Sequence, residues 1–260
     1  MTLAGRIHEI VGARAIIKNF LLEDIKVKYR RSVLGFLWSL LNPLLMLIVI
    51  SAAFATLFAG TRGQYTLHLL ATLLPWTCVA LSLEGGCRAI LNSENYIRQY
   101  RFPKLIFPLR TILFAFVELL LSLLALFPIA LFLGMKPGPQ LAILPYAILL
   151  LLIMLVGLAA MASVAVVYFR DAEHLISVFM RAWFYLTPIL IPYDAIPEKY
   201  QRYFALNPMY HMLELFDAPI SRGLMPSTSA ILTATIIAAL CFVVGLSVFF
   251  RLEDDVIFRL

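Results

Sequence analysis

A run of 29 residues without a charged side chain, residues 33–61, most constrains the fold of this chain. It follows a basic segment, Lys26-Val27-Lys28-Tyr29-Arg30-Arg31-Ser32. Because a helix needs about 20 apolar residues to cross the hydrocarbon layer, this run predicts a membrane span with a basic flank. Of the 260 residues, 62% are hydrophobic and 14% are charged, which excludes an ordinary soluble domain. The chain is therefore predicted to be an all-α membrane protein with a single transmembrane domain over residues 1–260.

Six runs are long and apolar enough to form transmembrane helices. They are residues 33–58, 66–83, 111–133, 141–169, 175–191 and 229–250, of which the fifth is the shortest. Residues 7–28, within the polar N-terminal region 1–32, carry apolar positions at helical spacing with charges between them. This pattern predicts an amphipathic helix on the membrane surface, which could be a simple anchor or a docking element.

The basic residues predict the orientation of the chain in the bilayer. Fifteen of the 21 Lys and Arg residues fall on the side that holds residues 1–32, residues 84–110, Arg170 and the C-terminal tail. Five fall on the other side, and Arg181 lies within a predicted span. The positive-inside rule therefore places both termini in the cytoplasm. The even number of spans agrees with this assignment.

Two of the connections between spans are long enough to have structure of their own. In the cytoplasmic loop 84–110, Asn92-Ser93-Glu94-Asn95 offers capping oxygens and Phe102-Pro103 provides a stop, which predicts a short exposed helix. This helix suits docking of a protein partner, although a charged loop can also be simply solvated. Residues 192–227 are apolar and aromatic, which predicts short re-entrant helices before the last span, with a folded external cap as the alternative.

The chain lacks the residue patterns of an enzyme that works by itself. No glycine begins a phosphate-binding loop that ends in Gly-Lys-Ser or Gly-Lys-Thr, so no ATP-hydrolysing site of that kind is predicted. The four histidines are scattered, and no metal site is predicted. Asp254-Asp255 is the nearest approach to a paired-carboxylate site and is interpreted as a solvated end. No cofactor is expected in this chain, and no nucleic-acid partner is expected.

Two charged side chains are predicted to lie within spans at matching depths. Glu118 follows Arg110 by eight residues, and Arg181 follows His174 by seven. An unpaired ion at that depth is costly, so we expect Glu118 and Arg181 to pair between spans three and five or across a subunit contact. The alternative is that each side chain reaches the headgroups independently.

Five motifs occur in a distinctive order along nearly the whole chain. They are Tyr29-Arg30-Arg31-Ser32-Val33-Leu34-Gly35-Phe36-Leu37-Trp38, Ser39-Leu40-Leu41-Asn42-Pro43-Leu44, Asn92 to Ile97 with Phe102-Pro103-Lys104, Tyr168-Phe169-Arg170-Asp171-Ala172-Glu173-His174, and Asn207-Pro208-Met209. Their order and spacing resemble those of the type 2 ABC export permeases for cell-surface polysaccharides. The chain is identified by this resemblance as a permease subunit of that family.

The resemblance implies a half-transporter in the bacterial inner membrane. Two copies would form a twelve-span channel for a lipid-linked polysaccharide, and two copies of a separate ATPase would bind ATP and Mg²⁺ beneath it. The loop between spans two and three would carry the contacts to the ATPase, at Asn92, Glu94, Tyr96, Arg98, Arg101, Phe102, Pro103 and Lys104. Aromatic residues of the first and fifth spans would line the channel, at Phe36, Trp38, Trp183 and Tyr185.

The resemblance also favours one substrate class. Asn42-Pro43 stands where capsule-type permeases often have Glu-Pro, so O-antigen is the expected cargo, with teichoic acid or capsule exporters as alternatives. A drug or lipid exporter would need a closed apolar pocket instead of a continuous channel. A stand-alone membrane glycosyltransferase would act without any ATPase.

Overall fold

The computed structural model describes residues 12–30, 37–54, 62–100 and 102–260. Within these ranges the chain forms helices and connecting turns, with no β-strand. The α-helices are, in chain order, α1 (Arg14–Tyr29), α2 (Leu37–Ala53), α3 (Arg62–Cys87), α4 (Glu94–Gln99), α5 (Ile106–Phe132), α6 (Leu144–Tyr168), α7 (Ala172–Leu186), α8 (Glu198–Ala205), α9 (Pro208–Asp217) and α10 (Thr228–Leu252).

Short helices of other types extend or connect these elements. Turns of 3₁₀-helix precede α4 at Leu91–Ser93, precede α6 at Pro139–Ile143, lie at Tyr193–Ala195 and follow α10 at Glu253–Phe258. A turn of π-helix, Ala218–Arg222, continues α9 and ends at Gly223, whose φ of 67° is a left-handed conformation that glycine adopts without strain.

Four of the six predicted spans correspond to helices that are long and apolar enough to cross a membrane. These segments are Gly63–Cys87, Ile106–Phe132, Pro139–Tyr168 and Thr228–Phe258. The first two contain α3 and α5, and the last two contain α6 and α10 with their 3₁₀ extensions. Predicted spans two, three, four and six therefore match helices in the structure, each within a few residues at its ends.

The first and fifth predicted spans have shorter helices in the described residues. Helix α2 covers 17 residues of the first, and the remainder of 33–58 lies outside the described residues. Helix α7 has 15 residues and ends at Leu186, whereas the predicted span continued to Ile191. It ends there because Thr187 precedes Pro188, which drives the preceding residue out of the helical conformation. At 1.5 Å per residue α7 is about 22 Å long, less than the roughly 30 Å of a hydrocarbon core.

Helix α3 lies at the centre of the bundle. It contacts α2, α5, α6, α7, α9 and the π-helical turn. In its most apolar stretch 78% of residues are buried within the protein, against 17% for α10. The buried residues of α3 include the polar His68, Thr72 and Ser82. The protein around α3 keeps these residues out of lipid: His68 bonds to Asp217 and to the carbonyl oxygen of Ile189, and Thr72 donates to the carbonyl oxygen of His68 on its own helix.

Helices α6 and α10 pack closely along their length. At Gly157 of α6 an added Cβ atom would overlap the carbonyl oxygen of Cys241, and at Gly245 of α10 it would overlap the backbone of Gly157. Small residues at such a crossing allow two backbones to approach and gain dispersion contacts, which is how helices associate when lipid offers no hydrophobic driving force.

Replacement of Gly157 or Gly245 with Ala should therefore force α6 and α10 apart. We expect each variant to lose about 1–3 kcal/mol of unfolding free energy, since overpacking against a backbone atom cannot be relieved by a rotamer change. The measurement is an SDS titration of the purified protein in detergent, followed by circular dichroism. Gly12→Ala is the matched control, because a Cβ at Gly12 would meet no atom within 4 Å. Equal stability of all three variants would contradict this account of the crossing.

Candidate functional site

The predicted coupling loop forms a compact segment at the C-terminal end of α3. This α4 segment comprises residues 88–105, of which Arg101 lies outside the described residues. Ile97, on the inner face of α4, is buried in an apolar cluster with Phe107 of α5, Val164 of α6 and Phe249 of α10. A push on α4 is therefore received by three other helices at once, because the interior is close-packed and low in compressibility.

The other face of α4 is open. Asn92, Asn95, Arg98 and Gln99 are exposed, and Arg98 Nε donates to Glu94 Oε1 at 2.8 Å one helical turn away. An exposed ion pair of this kind adds little to stability, about 0.3–0.5 kcal/mol. These polar side chains therefore leave a surface that a protein partner can use without disturbing the core below.

Helix α1 is attached to α4 and α5 by charged and aromatic contacts. Asp24 accepts two hydrogen bonds from the guanidinium of Arg110. Phe20 lies under the same guanidinium, 4.8 Å from ring centroid to Cζ, and meets the ring of Tyr96 edge-on at 5.4 Å. Two parallel N–H···O bonds fix both distance and angle. The predicted surface helix is thus joined to the α4 segment, which favours a docking role over a simple anchor.

Two further contacts tie the α4 segment to distant parts of the chain. Lys104 Nζ donates to the carbonyl oxygen of Glu253, in the 3₁₀ turn after α10. Arg88 forms an ion pair with Glu173 in the first turn of α7. The residues before and after α4 therefore contact α7 and the 3₁₀ turn that follows α10.

The predicted coupling residues that the structure describes occupy two kinds of position. Asn92, Arg98 and Tyr96 are exposed, with Tyr96 41% accessible. Glu94, Phe102, Pro103 and Lys104 are half-buried and organise the segment. Phe102 stacks on Tyr100 at 5.6 Å, and the carbonyl of Pro103 accepts the N–H of Ile106 at the start of α5. Arg101 lies outside the described residues.

The predicted channel residues differ in their exposure and in their contacts. Trp38 is 50% exposed and Tyr185 is 71% exposed, whereas Trp183 is half-buried. The indole N–H of Trp183 donates to Asn207 Oδ1 at 2.9 Å, and its ring meets that of Trp76 edge-on at 5.8 Å. Trp183 therefore ties α7 to α9 and α3. Phe36 lies outside the described residues.

The two intramembrane charges have other partners within the chain. Glu118 Oε2 accepts from Lys28 Nζ of α1 at 2.8 Å, and Arg181 donates to Ser177 Oγ at 3.1 Å on its own helix. Within the described residues, Lys28 of α1 is the cation hydrogen-bonded to Glu118, and a pairing of Glu118 with Arg181, in one subunit or across two, stays a prediction.

The sequence analysis missed a polar cluster at the opposite end of α3. His68 Nδ1 lies 2.9 Å from Asp217 Oδ1 of α9, and Ser221 Oγ donates to the same oxygen at 2.7 Å. Arg222 forms an ion pair with Glu214. His68 itself could have indicated this cluster, because it is an ionisable residue inside a predicted span. Such residues usually have a polar partner or a function.

Among the residues that the structure describes, no group of three or more His, Cys, Asp or Glu side chains could hold a metal ion. The charged groups instead pair with each other at the two ends of α3. The fold and the site define a class: a multi-pass helical membrane protein that exposes a short polar helix, rigidly packed on its bundle, at one end.

The chain belongs to the ABC-2 type transporter family, whose model matches residues 17–220. It is 25% identical over 245 residues, 94% of both chains, to the O-antigen export system permease protein RfbA of Myxococcus xanthus. A protein of the same name from Klebsiella pneumoniae is 30% identical over 233 residues, 89% of both chains. The polysialic acid transport protein KpsM of Escherichia coli is 21% identical over 248 residues, 93% of this chain and 95% of that protein.

Neutralising Asp24 should weaken the attachment of α1 to α5. Asp24→Asn leaves the half-buried Arg110 without its charged acceptor, so we expect a loss of about 1.5–3 kcal/mol of unfolding free energy. The measurement is SDS titration of the detergent-solubilised protein. The exchanged pair Asp24→Arg with Arg110→Asp should regain more than half of the loss, and Glu23→Gln, on the exposed side of α1, should be neutral. An exchanged pair as unstable as the sum of its single variants would show that the pairing does not hold α1.

Proposed function

We propose that this protein is the transmembrane subunit of an ATP-driven exporter that moves a lipid-linked polysaccharide of the O-antigen type across the bacterial inner membrane. The family is that of transporter permeases, and relatives that cover about nine-tenths of the chain or more are named as O-antigen export permeases. The relative named as a polysialic acid transporter supports a second candidate, export of a capsular polysaccharide. In both cases the cargo is a long glycan.

The energy for export comes from a separate ATPase subunit, which binds the ATP and Mg²⁺. The sequence contains no phosphate-binding loop of the Gly-Lys-Ser or Gly-Lys-Thr type, so the work must be received from outside the chain. The observation that carries this proposal is the exposed face of α4 above a buried Ile97. A partner that closes on ATP would move α4, and the close-packed cluster beneath it would move with it.

The contacts of the α4 segment suggest how that movement spreads. Helices α3 and α5 flank α4 in the chain and shift with it as one body. The Arg88–Glu173 ion pair transmits the movement to α7, and the Asp24–Arg110 pair transmits it to α1. Helix α7, which we expect to line the channel, is therefore connected to the ATPase contact. So is α1, which we expect to lie on the membrane surface.

We further propose that two copies form the channel and that α2 and α7 complete a six-span subunit with both termini in the cytoplasm. Helix α7 exposes the large apolar side chains of Leu175, Val178, Phe179, Tyr185 and Leu186. Such a stripe is too apolar to face water and suits lipid, a second subunit or the weak aromatic contacts of a glycan channel. The helices in residues 192–227 are short, which suits the re-entrant arrangement expected from their composition.

Replacing Arg98, Arg101 and Lys104 together with Ala should separate ATP hydrolysis from export. We expect about a tenfold or greater fall in polysaccharide exported per ATP hydrolysed, which corresponds to the loss of roughly 1.4 kcal/mol of coupling free energy. Both quantities are measured in cells and vesicles that contain the cognate ATPase, with membrane levels of the permease checked by immunoblot. Lys199→Ala with Arg202→Ala, on exposed residues of α8 at the other end, is the matched control. Normal export by the triple variant would overturn the coupling assignment.

Cysteine cross-linking should detect the second subunit at α7. In a background without Cys78, Cys87 and Cys241, we expect single cysteines at Leu175, Val178 or Tyr185 to give covalent dimers on oxidation, because a disulfide forms only when two Cα atoms come within about 7 Å. The dimers are read on non-reducing gels. Met180→Cys, buried inside the subunit, is the control. If none of the three exposed positions cross-links while α2 positions do, the dimer contact lies on α2 instead.

A further inference from the structure

A polar cleft lies near the N-terminal end of α3, and its residue His68 is about 30 Å along that helix from the start of the α4 segment at 1.5 Å per residue. This His68 cleft has a volume of about 270 Å³ and is open at one side. Its walls come from three parts of the chain, namely α3, the turn at Tyr193–Ala195, and α9 with its π-helical extension. The charged and polar groups that surround it are Gln64, His68, Asp194, Glu214, Asp217 and Arg222.

The back wall of the cleft is fixed by His68 and Asp217. His68 Nε2 faces the carbonyl oxygen of Ile189 at 3.1 Å, and a carbonyl can only accept, so Nε2 carries a proton. His68 Nδ1 faces Asp217 Oδ1 at 2.9 Å, which requires a second proton between those two atoms. The two side chains are therefore an imidazolium and a carboxylate that share a hydrogen bond. The net charge of this pair is zero, which suits burial in a membrane-spanning helix.

Two carboxyl groups on α9 have opposite environments. Burial disfavours ionisation of Asp217, but the charge of His68 and hydrogen bonds from His68 and Ser221 outweigh it and lower the pKa of Asp217. At Glu214 burial dominates over the hydrogen bond from Arg222, so the pKa of Glu214 is raised. The hydrogen bonds from His68 and Ser221 therefore hold Asp217 in the back wall of the cleft. Glu214 and Arg222 line the cleft beside it.

Two residues that line the cleft keep unused hydrogen-bonding capacity. The Nε–H of Arg222 is buried and has no acceptor among the described residues. The side chain of Asp194 is 75% exposed, and its nearest cation is Arg222 at 3.9 Å, beyond hydrogen-bond length. Tyr193 stacks on Tyr210 at 4.5 Å beside these charges. The cleft thus offers donors, acceptors and an aromatic edge within one small volume.

This combination excludes most ligand classes. His68 balances the charge of Asp217 and Arg222 balances that of Glu214, so the charge of Asp194 is left over and would repel a phosphate or an acidic sugar. The guanidinium of Arg222 beside it would repel a bare metal cation. The charged walls do not suit an apolar compound. An uncharged polyhydroxy compound both donates to carboxylates and accepts from guanidinium, and an amino sugar adds a cation that the carboxylates attract. The volume accommodates one sugar ring.

We propose that the His68 cleft binds one unit of a neutral or amino-sugar glycan, and so selects such glycans over acidic ones at the end of the protein opposite the ATPase contact. This inference rests on the proposed function and gives it a substrate class. Asp194 and Glu214 accept hydroxyl or ammonium protons of the sugar, and Arg222 donates to its oxygens. His68 and Asp217 are positioning residues that hold α9 against α3.

The test is saturation-transfer NMR on the permease with its ATPase partner in nanodiscs, with three probes. Methyl α-mannopyranoside and glucosamine should receive saturation, and N-acetylneuraminic acid should not. In Asp194→Asn with Glu214→Gln the dissociation constants of the first two should rise about tenfold or more, since charge-assisted hydrogen bonds become neutral ones. The acidic probe should bind the variant better than the parent. Glu198→Gln, on exposed α8 outside the cleft, should change nothing.

The outcomes separate this proposal from the proposed function. If no neutral or amino sugar binds, or if both bind the double variant as tightly as the parent, the cleft is not a sugar site, whether or not the complex exports glycan. Preferential binding of N-acetylneuraminic acid to the parent would also overturn the proposal. Because Asp194 is exposed, Asp194→Asn alone should fold normally, and a fewfold weakening in that single variant supports the site independently of any packing change at Glu214.

Discussion

Helix α3 is surrounded by the other helices, and its burial determines where they pack and where polar sites can form. Lipid cannot satisfy polar groups, so a helix that carries His68, Thr72 and Ser82 can cross the membrane only when protein surrounds it. Once α3 is central, its two ends become the natural places for polar sites. The α4 segment follows α3 directly in the chain at its C-terminal end, and the His68 cleft lies near its N-terminal end. The least hydropathic of the four long helices therefore positions both polar regions.

Charge pairing connects these regions to the remaining helices. Each pair joins elements that are distant in the chain: α1 with α5 through Asp24 and Arg110, α3 with α7 through Arg88 and Glu173, and α3 with α9 through His68 and Asp217. The His68–Asp217 pair is buried and the Asp24–Arg110 pair is partly buried, so losing one partner of either leaves a charge without compensation, whereas the Arg88–Glu173 pair is more exposed. Each pair adds a polar contact to the apolar packing between the same two helices.

The long spans and the short helix α4 could be predicted because their signals are local. Apolar length alone predicts α3, α5, α6 and α10, and capping oxygens followed by Phe102-Pro103 predict α4. The fifth span was predicted too long, since a count of apolar residues does not register the stop that Pro188 imposes at Thr187. The pairing of Glu118 could not be predicted in the same way. Depth in the membrane matched it with Arg181, but the fold of α1 brings Lys28 within 2.8 Å.

Composition and patterns of a few adjacent residues were enough to predict a helical membrane protein, the positions of its long helices and a sequence without a Gly-Lys-Ser or Gly-Lys-Thr phosphate-binding loop. Which charges meet, and where a cleft forms, could be read only from the packed helices. Asp217 lies 149 residues after His68, and no spacing rule relates them. Their contact depends on how α9 packs on α3, which is a property of the whole bundle.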